Sequence, residues 1–153
     1  MIKDVDGDLL KYPLDTLIHV ANCQVGVFGS GLALAIKNKY PEAYEADLAF
    51  SLNQSERLGT FSWATTYDSK TIINCYGQFN IGRGKQISYD AIDQSFGEIA
   101  DFLGEDMDQK IGIPAGFGSV RGGGNWIVIK ALIEAHFSDF ENFYIVNKDF
   151  YVK

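Results

Sequence analysis

The 153-residue sequence has few cysteines and no long apolar run. Its two cysteines, Cys23 and Cys75, lie far apart, belong to no Cys-x-x-Cys pair and have no histidine pattern nearby. This spacing excludes a disulfide framework and a zinc site, and it favours two free thiols. No apolar run approaches the ~20 residues of a membrane span, and the N-terminus has no apolar signal core. We therefore expect a cytoplasmic protein with no membrane contact and no bound metal.

Basic residues are also scarce. The sequence has 13 lysines and arginines against 20 aspartates and glutamates, a formal charge of −7. A protein that coats nucleic acid or an anionic membrane needs a basic surface, because it must release counterions or meet lipid headgroups. The composition argues against both functions but remains compatible with a small anionic ligand.

Hydrophobic residues make up 46% of the chain, enough for one core, and no linker or internal repeat divides it. Runs typical of β-strands alternate with amphipathic helical stretches, which predicts one α/β domain over residues 1–153 whose sheet is covered on both faces. The predicted strands are 17–21, 59–66, 71–76, 110–114 and 143–146, and the predicted helices are 32–40, 41–50, 89–103 and 126–137.

Glycine is plentiful, with 16 residues, and half of them fall in two loops: Gly26, Gly29 and Gly31 in the first, and Gly116, Gly118 and 122–124 in the second. Each loop joins a predicted strand to a predicted helix, at the sheet edge where ligands bind in open α/β folds. Glycine lets the backbone approach a ligand closely, and N–H groups at a helix N-terminus attract anions. Tight turns would explain one such loop, but two matched loops favour a diphosphate site.

Neither loop matches a common nucleotide-binding motif. The segment 26–31 is not G-x-G-x-x-G, and the second loop lacks the Lys-Ser/Thr pair of a P-loop. Magnesium-dependent phosphoryl transfer is therefore unsupported, and we expect no cofactor.

An ordered set of motifs resembles the macro domain, the ADP-ribose-binding fold, over nearly the whole chain. The motifs are Gly7-Asp8-Leu9, Ala21-Asn22, Gly29-Ser30-Gly31-Leu32-Ala33, Asn74-Cys75-Tyr76-Gly77-Gln78 with Ser88-Tyr89, and the segment 114–126. Their order resembles the branch that contains ADP-ribose-1″-phosphate phosphatases and terminal ADP-ribose glycohydrolases. The resemblance implies a three-layer α/β/α fold with a mixed central sheet.

The resemblance also implies a role for individual residues. Asp8 would accept a hydrogen bond from the adenine amino group, the Leu9 backbone would meet the ring, and Asn22 would face the distal ribose. Turn formation by Asp8 and strand-end capping by Asn22 are the structural alternatives. The ligand-binding residues that the resemblance implies are Asp8, Leu9, Ala21, Asn22, Phe28, Gly29, Ser30, Gly31, Leu32, Gly116, Phe117, Gly118, Ser119, Val120 and Arg121.

The activity that the resemblance implies is hydrolysis of ADP-ribose 1″-phosphate without a metal. Asn22 would be the catalytic residue that orients the distal ribose and a water, while loop N–H groups stabilise charge on the phosphate. The terminal glycohydrolase uses a lysine and a second-loop aspartate, but here no lysine lies within 73–78 and no acid within 116–126. The sequence therefore offers no convincing general base. His19, in mid-strand, is interpreted as a hydrogen-bonded core histidine outside the site.

Two other functions stay open. The chain could be a non-catalytic module that reads or sequesters ADP-ribose, or a glycohydrolase that removes ADP-ribose from macromolecules. The expected partner is ADP-ribose or its 1″-phosphate, with ADP-ribosylated macromolecules as the alternative, and we expect the protein to be a monomer.

Overall fold

The computed structural model describes residues 1–80, 85–119 and 122–148. Strands and helices alternate along these ranges as the sequence predicts. The elements are β1 (Ile2–Asp6), β2 (Thr16–Asn22), α1 (Gly31–Lys39), α2 (Pro41–Ala49), α3 (Gln54–Arg57), β3 (Phe61–Thr65), β4 (Thr71–Gln78), α4 (Tyr89–Leu103), β5 (Lys110–Pro114), α5 (Trp126–Phe137) and β6 (Asn142–Asn147).

The strands form one mixed sheet in the order β1-β6-β5-β2-β4-β3. Neighbouring strands are parallel, except that β3 runs antiparallel to β4. The predicted mixed sheet is confirmed. Because β2, β4, β5 and β6 are parallel, their carboxyl ends meet at one edge of the sheet, and the loops that follow them emerge side by side.

Helices cover both faces of the sheet. Successive strand residues point to opposite faces, so Ile72 packs with α1 and α2 while Ile73 packs with α4 and α5. Both side chains are fully buried. The predicted three-layer α/β/α arrangement is therefore confirmed. Within the described ranges, no helix combines the length and the apolar character needed to cross a membrane.

Two elements were not predicted from the sequence. Strand β1 contains three charged residues and no buried position, and it becomes a strand through parallel pairing with the edge of β6. Helix α3 is a single turn held by a capping box, in which Asn53 and Glu56 exchange hydrogen bonds between side chain and backbone. Neither element has the apolar periodicity that reveals the others.

The close packing at Gly112 yields a test of the fold. A methyl group on Gly112 of β5 would overlap Leu14 Cδ1 and lie 3.1 Å from Leu9 Cδ1. We expect Gly112→Ala to lower the free energy of unfolding by about 1–3 kcal/mol, because the overpacked core must shift. Urea denaturation measures the change.

Gly97 provides the matched control. It lies inside α4, and its added methyl group would come no closer than 3.6 Å to a neighbour, the His136 ring. We expect Gly97→Ala to raise the free energy of unfolding by about 0.5–1 kcal/mol, since alanine favours the helix over glycine. Equal effects of the two substitutions would contradict the packing described at Gly112.

Candidate ligand-binding site

A cavity of about 840 Å³ opens at the carboxyl edge of the sheet. Its walls come from the ends of β2, β4, β5 and β6, from both glycine loops and from the start of α1. The volume lies in the upper part of the range of small-molecule sites, roughly 300–1,000 Å³. The cavity thus occupies the position that the strand–loop–helix pattern predicts for a ligand.

Most of the sequence-predicted site residues lie on this cavity. Its lining includes Asp8, Leu9, Asn22, Gly29, Ser30, Gly31, Leu32, Gly116, Phe117 and Gly118. The lining does not include Ala21, Phe28 or Ser119. Val120 and Arg121 lie outside the described residues. Three further residues line the cavity that are not among the predicted site residues: His19, Gln78 and Lys148.

Asn22, the last residue of β2, carries an unpaired hydrogen-bond donor. Its side-chain Oδ1 accepts a hydrogen bond from the Gln24 backbone N–H at 2.8 Å, so the residue does cap the strand end. Its Nδ2 is buried and has no hydrogen-bond partner among the described residues. A buried donor without a partner costs about 1–3 kcal/mol. A ligand oxygen in the cavity would supply the missing acceptor.

The first N–H groups of α1 also have no acceptor within the part of the chain that the structure describes. Ser30, at its N-cap, makes no side-chain capping bond, and the first donor within the helix is the Leu34 N–H, which reaches the Ser30 carbonyl at 3.2 Å. The N–H groups of 31–33 therefore have no helical partner. By contrast, Ser88 caps α4 and Asn125 caps α5. The uncapped α1 terminus on the cavity wall suits an anion.

The first glycine loop reaches this terminus over a buried aromatic ring. Phe28 is 2% exposed and packs edge-on against the rings of His19 and Tyr44, with centroid distances of 5.6 and 5.5 Å. The buried Phe28 ring thus holds the loop against the core. The next residue, Gly29, faces open space, because a methyl group added to it would have no neighbour within 4 Å.

The second glycine loop differs from the first. A methyl group on Gly122 would overlap Ile87 Cγ1 and lie 2.7 Å from the Gly118 carbonyl oxygen. The Ser119 N–H donates to the Gly116 carbonyl at 2.8 Å, and the Gly124 N–H donates to Gly118 at 3.1 Å. Several glycines here serve close packing, and several N–H groups are already paired. The second loop forms a wall of the cavity, while the unpaired helix terminus belongs to the first.

His19 is a core histidine, as predicted, and it also lines the cavity. It is 1% exposed, and its Nε2 lies 2.6 Å from Asn74 Oδ1. Since Asn74 Nδ2 donates to Ala43 and Ser62, its Oδ1 is the acceptor and His19 Nε2 carries the proton. Nδ1 then presents a lone pair that has no partner among the described residues. Burial lowers the pKa of His19 to about 4, so the ring is neutral at pH 7.

Asp8 stabilises a turn and also lines the cavity. Its Oδ1 accepts from the Leu10 N–H at 2.9 Å, and its Oδ2 lies 3.2 Å from Lys148 Nζ. Partial burial raises the pKa of Asp8, but the hydrogen bonds from Leu10 and Lys148 and the nearby positive charge outweigh it and lower the pKa below its usual value. Asp8 is an ionised acceptor at neutral pH. No group of His, Cys, Asp and Glu side chains in the described part of the chain could hold a metal ion.

No protein-family profile matches the chain. Several curated proteins match short stretches of it. A DNA ADP-ribosyl glycohydrolase from Mycobacterium tuberculosis is 46% identical over 46 residues, which cover 30% of this chain and 13% of that protein. An ADP-ribose 1″-phosphate phosphatase from Aspergillus oryzae is 50% identical over 44 residues, which cover 28% of this chain and 21% of that protein. The matched stretches thus span well under two thirds of either relative.

Solved structures match nearly the whole chain. A protein of unknown function from Bacteroides thetaiotaomicron has a TM-score of 0.83 at 21% identity, over 97% of this chain and 98% of that one. The macrodomain of Mycobacterium tuberculosis DarG scores 0.78 at 24% identity, over 96% and 97%. Thermosipho africanus DarTG in complex with ADP-ribose scores 0.77 at 17% identity, over 96% and 41%. At these identities the likeness establishes the fold.

The buried neutral imidazole of His19 predicts a pH dependence of stability. Its folded pKa of about 4 lies below the unfolded value of 6.5, so the unfolded chain takes up a proton first as the pH falls. The contribution of His19 to the free energy of unfolding is complete above pH 6.5 and declines as the pH falls to 4. The total loss over this window is about 3 kcal/mol. Urea denaturation at a series of pH values measures the loss.

The control for this prediction is His19→Gln, which keeps an N–H donor for Asn74 but does not titrate. We expect the wild type to lose stability relative to this variant between pH 6.5 and pH 4. Parallel stability curves for the two proteins across that window would contradict the neutral, buried state of His19.

Proposed function

We propose that this chain, which has the macrodomain fold, binds ADP-ribose in the cavity and hydrolyses ADP-ribose 1″-phosphate to ADP-ribose and phosphate. The observation that carries the proposal is the Asn22 amide, a buried donor without a partner, on the same cavity as the uncapped N-terminus of α1. Together they provide a ribose-facing donor and a diphosphate site, without a cationic cluster.

The groups that line the cavity support one orientation of the proposed ligand. The diphosphate accepts hydrogen bonds from the N–H groups of 31–33, where the helix dipole stabilises negative charge. The distal ribose then lies toward Asn22 and His19, at the end of β2, and the adenosine lies toward Asp8. An Asp8 Oδ2 lone pair remains for the adenine amino group, since a carboxylate oxygen accepts more than one hydrogen bond and Lys148 takes one.

The proposed reaction is attack of water on the phosphorus atom. The bond between phosphorus and O1″ breaks, one proton of the water goes to O1″, and the other stays on the phosphate that leaves. Asn22 Nδ2 donates to an oxygen of the distal ribose and orients it, and the loop N–H groups stabilise charge on the phosphate. His19 Nδ1 accepts a hydrogen bond from the water. With a pKa of about 4, this imidazole is a weak base, so turnover is slow.

The curated relatives support ADP-ribose chemistry of two kinds. One is named ADP-ribose 1″-phosphate phosphatase and the other DNA ADP-ribosyl glycohydrolase. The Thermosipho africanus DarTG structure, of which the match covers 41%, is a complex with ADP-ribose. In this chain, segment 73–78 has no lysine and segment 116–126 has no acid. This favours phosphate release over a reaction through a lysine adduct.

Phosphate release from ADP-ribose 1″-phosphate tests the proposal directly. We expect the wild type to release phosphate, and Asn22→Ala to lower kcat/KM roughly tenfold or more, because the donor to the distal ribose is lost. A colorimetric phosphate assay measures the rates, and Gly97→Ala, remote from the cavity, serves as the active control.

The other functions give different results in the same experiments. A reader of ADP-ribose binds it in calorimetry but releases no phosphate from the 1″-phosphate. A glycohydrolase instead releases ADP-ribose from ADP-ribosylated DNA or protein. Absence of ADP-ribose binding at micromolar to millimolar concentration contradicts the ligand assignment as a whole.

Gly29 provides a test of ligand position. A methyl group there meets no protein atom within 4 Å, so we expect Gly29→Ala to fold as stably as the wild type. The methyl group would project into the space that the proposed diphosphate occupies, and we expect the affinity for ADP-ribose to fall about tenfold or more. Calorimetry and thermal unfolding measure the two quantities.

The matched control is Gly97→Ala, which adds the same methyl group away from the cavity. We expect it to leave ADP-ribose affinity unchanged. Unchanged affinity in Gly29→Ala as well would place the ligand elsewhere.

A further inference from the structure

A fully buried ion pair lies behind the first glycine loop. Asp47 near the end of α2 and Arg57 at the end of α3 are both 0% exposed, and Nη1 of Arg57 lies 2.7 Å from Oδ1 of Asp47. The other guanidinium nitrogens donate to backbone carbonyls of Asp47, Phe50 and Leu52 at 2.8–2.9 Å. The Arg57 side chain is therefore held in one position.

The two oxygens of Asp47 have different partners. Oδ1 accepts from Arg57 and also from the Tyr76 hydroxyl at 2.6 Å. Oδ2 accepts from the backbone N–H of Gly26 at 2.7 Å. A buried hydrogen bond from a backbone N–H to an ionised carboxylate is stronger than one between neutral groups. Asp47 thus connects the buried Arg57 to the middle of the loop.

Gly26 is the residue at which the loop turns. Its φ of +76° belongs to the left-handed region that favours glycine. With its N–H directed inward to Asp47, its carbonyl accepts from the Phe28 N–H at 3.2 Å, and Phe28 enters the core. Gly29 and Ser30 follow directly and form the wall of the cavity. The position of that wall therefore depends on where Gly26 is fixed.

Stability alone does not account for a pair of this kind. Replacing a buried ion pair by apolar side chains of similar volume is often neutral or stabilising, because the charges pay a desolvation cost. An apolar side chain at 47, however, could not accept the Gly26 N–H. The Tyr76 hydroxyl would keep Ser62 as a partner, whereas the Gly26 N–H would lose the acceptor that the Asp47 carboxylate supplies.

We propose that Asp47 is a positioning residue for the first glycine loop. Its carboxylate accepts the hydrogen bond from the Gly26 N–H and thereby fixes the loop for an anionic ligand. Asp47 does not line the cavity, so it would act on a ligand there only through the loop. The expected effect on affinity rests on the proposed binding of ADP-ribose, whereas the expected effect on the Gly26 amide does not. The proposed function and the proposed role of Asp47 can therefore be contradicted independently.

The test compares Asp47→Asn with Tyr76→Phe. Asp47→Asn removes the charged acceptor of Gly26, and we expect the affinity for ADP-ribose to fall about tenfold or more. Tyr76→Phe removes a hydrogen bond to the other oxygen, Oδ1, and leaves the bond to Gly26 in place. We expect it to lower the thermal midpoint but to keep the affinity within about twofold.

The second readout is the Gly26 amide itself, followed by nuclear magnetic resonance without ligand. We expect slow exchange of this amide with solvent in the wild type and in Tyr76→Phe, and faster exchange in Asp47→Asn. A merely structural role would lower stability in both variants without this difference at Gly26.

Several results overturn the proposal. The proposal is wrong if Asp47→Asn binds ADP-ribose with an affinity within about twofold of the wild type. It is also wrong if the Gly26 amide of the wild type exchanges rapidly with solvent. The wild-type exchange rate also decides the matter if Asp47→Asn does not fold. If the wild type binds no ADP-ribose while Gly26 remains protected, the proposed function is wrong and the loop anchor stands.

Discussion

Three backbone N–H groups at the start of α1 have no acceptor among the described residues, and the arrangement of the candidate site follows from that constraint. Ser30 offers no capping bond, and each unpaired N–H group retains its affinity for negative charge. A formal charge of −7 disfavours an anion near the protein surface, so an anion site needs a local source of positive potential. Lys148 lies on the cavity but already pairs with Asp8. For the proposed anionic ligand, oriented backbone dipoles would supply the attraction instead.

Unpaired polar atoms concentrate on this cavity, whereas the neighbouring core is satisfied. The buried atoms without partners in the described ranges are His19 Nδ1, Asn22 Nδ2 and Glu42 Oε1, and the first two belong to residues that line the cavity. A few ångströms away, hydrogen bonds link Asn74, Ser62, Tyr76 and Asp47 without interruption. Since native cores satisfy most of their polar groups, the two unpaired atoms on the cavity are consistent with the proposed ligand as their missing partner.

Sequence periodicity was sufficient for the layers of the fold and for most of its elements. The limits of α4, β5 and α5 match those predicted. The two helices have a buried face of regular spacing, and β5 has a short, continuously buried run and ends at Pro114. The edge strand β1 and the single-turn α3 depend on pairing and capping that no local pattern shows. The same distinction holds in the site, where Asn22 and Gly29 belong to readable motifs. His19 and Asp47 depend on partners 55 and 21 residues away in the chain.

The two glycine loops have similar compositions but different roles, and the difference bears on the proposed chemistry at the distal ribose. The first loop carries the free helix terminus, while the second is packed against Ile87 and partly bonded to itself. With no acid in 116–126, the second loop would not repel the phosphate of the proposed substrate. The same lack of an acid removes a strong base for the water in the proposed reaction. The proposed binding of the phosphate and its proposed slow hydrolysis would thus share one physical origin, the missing acid.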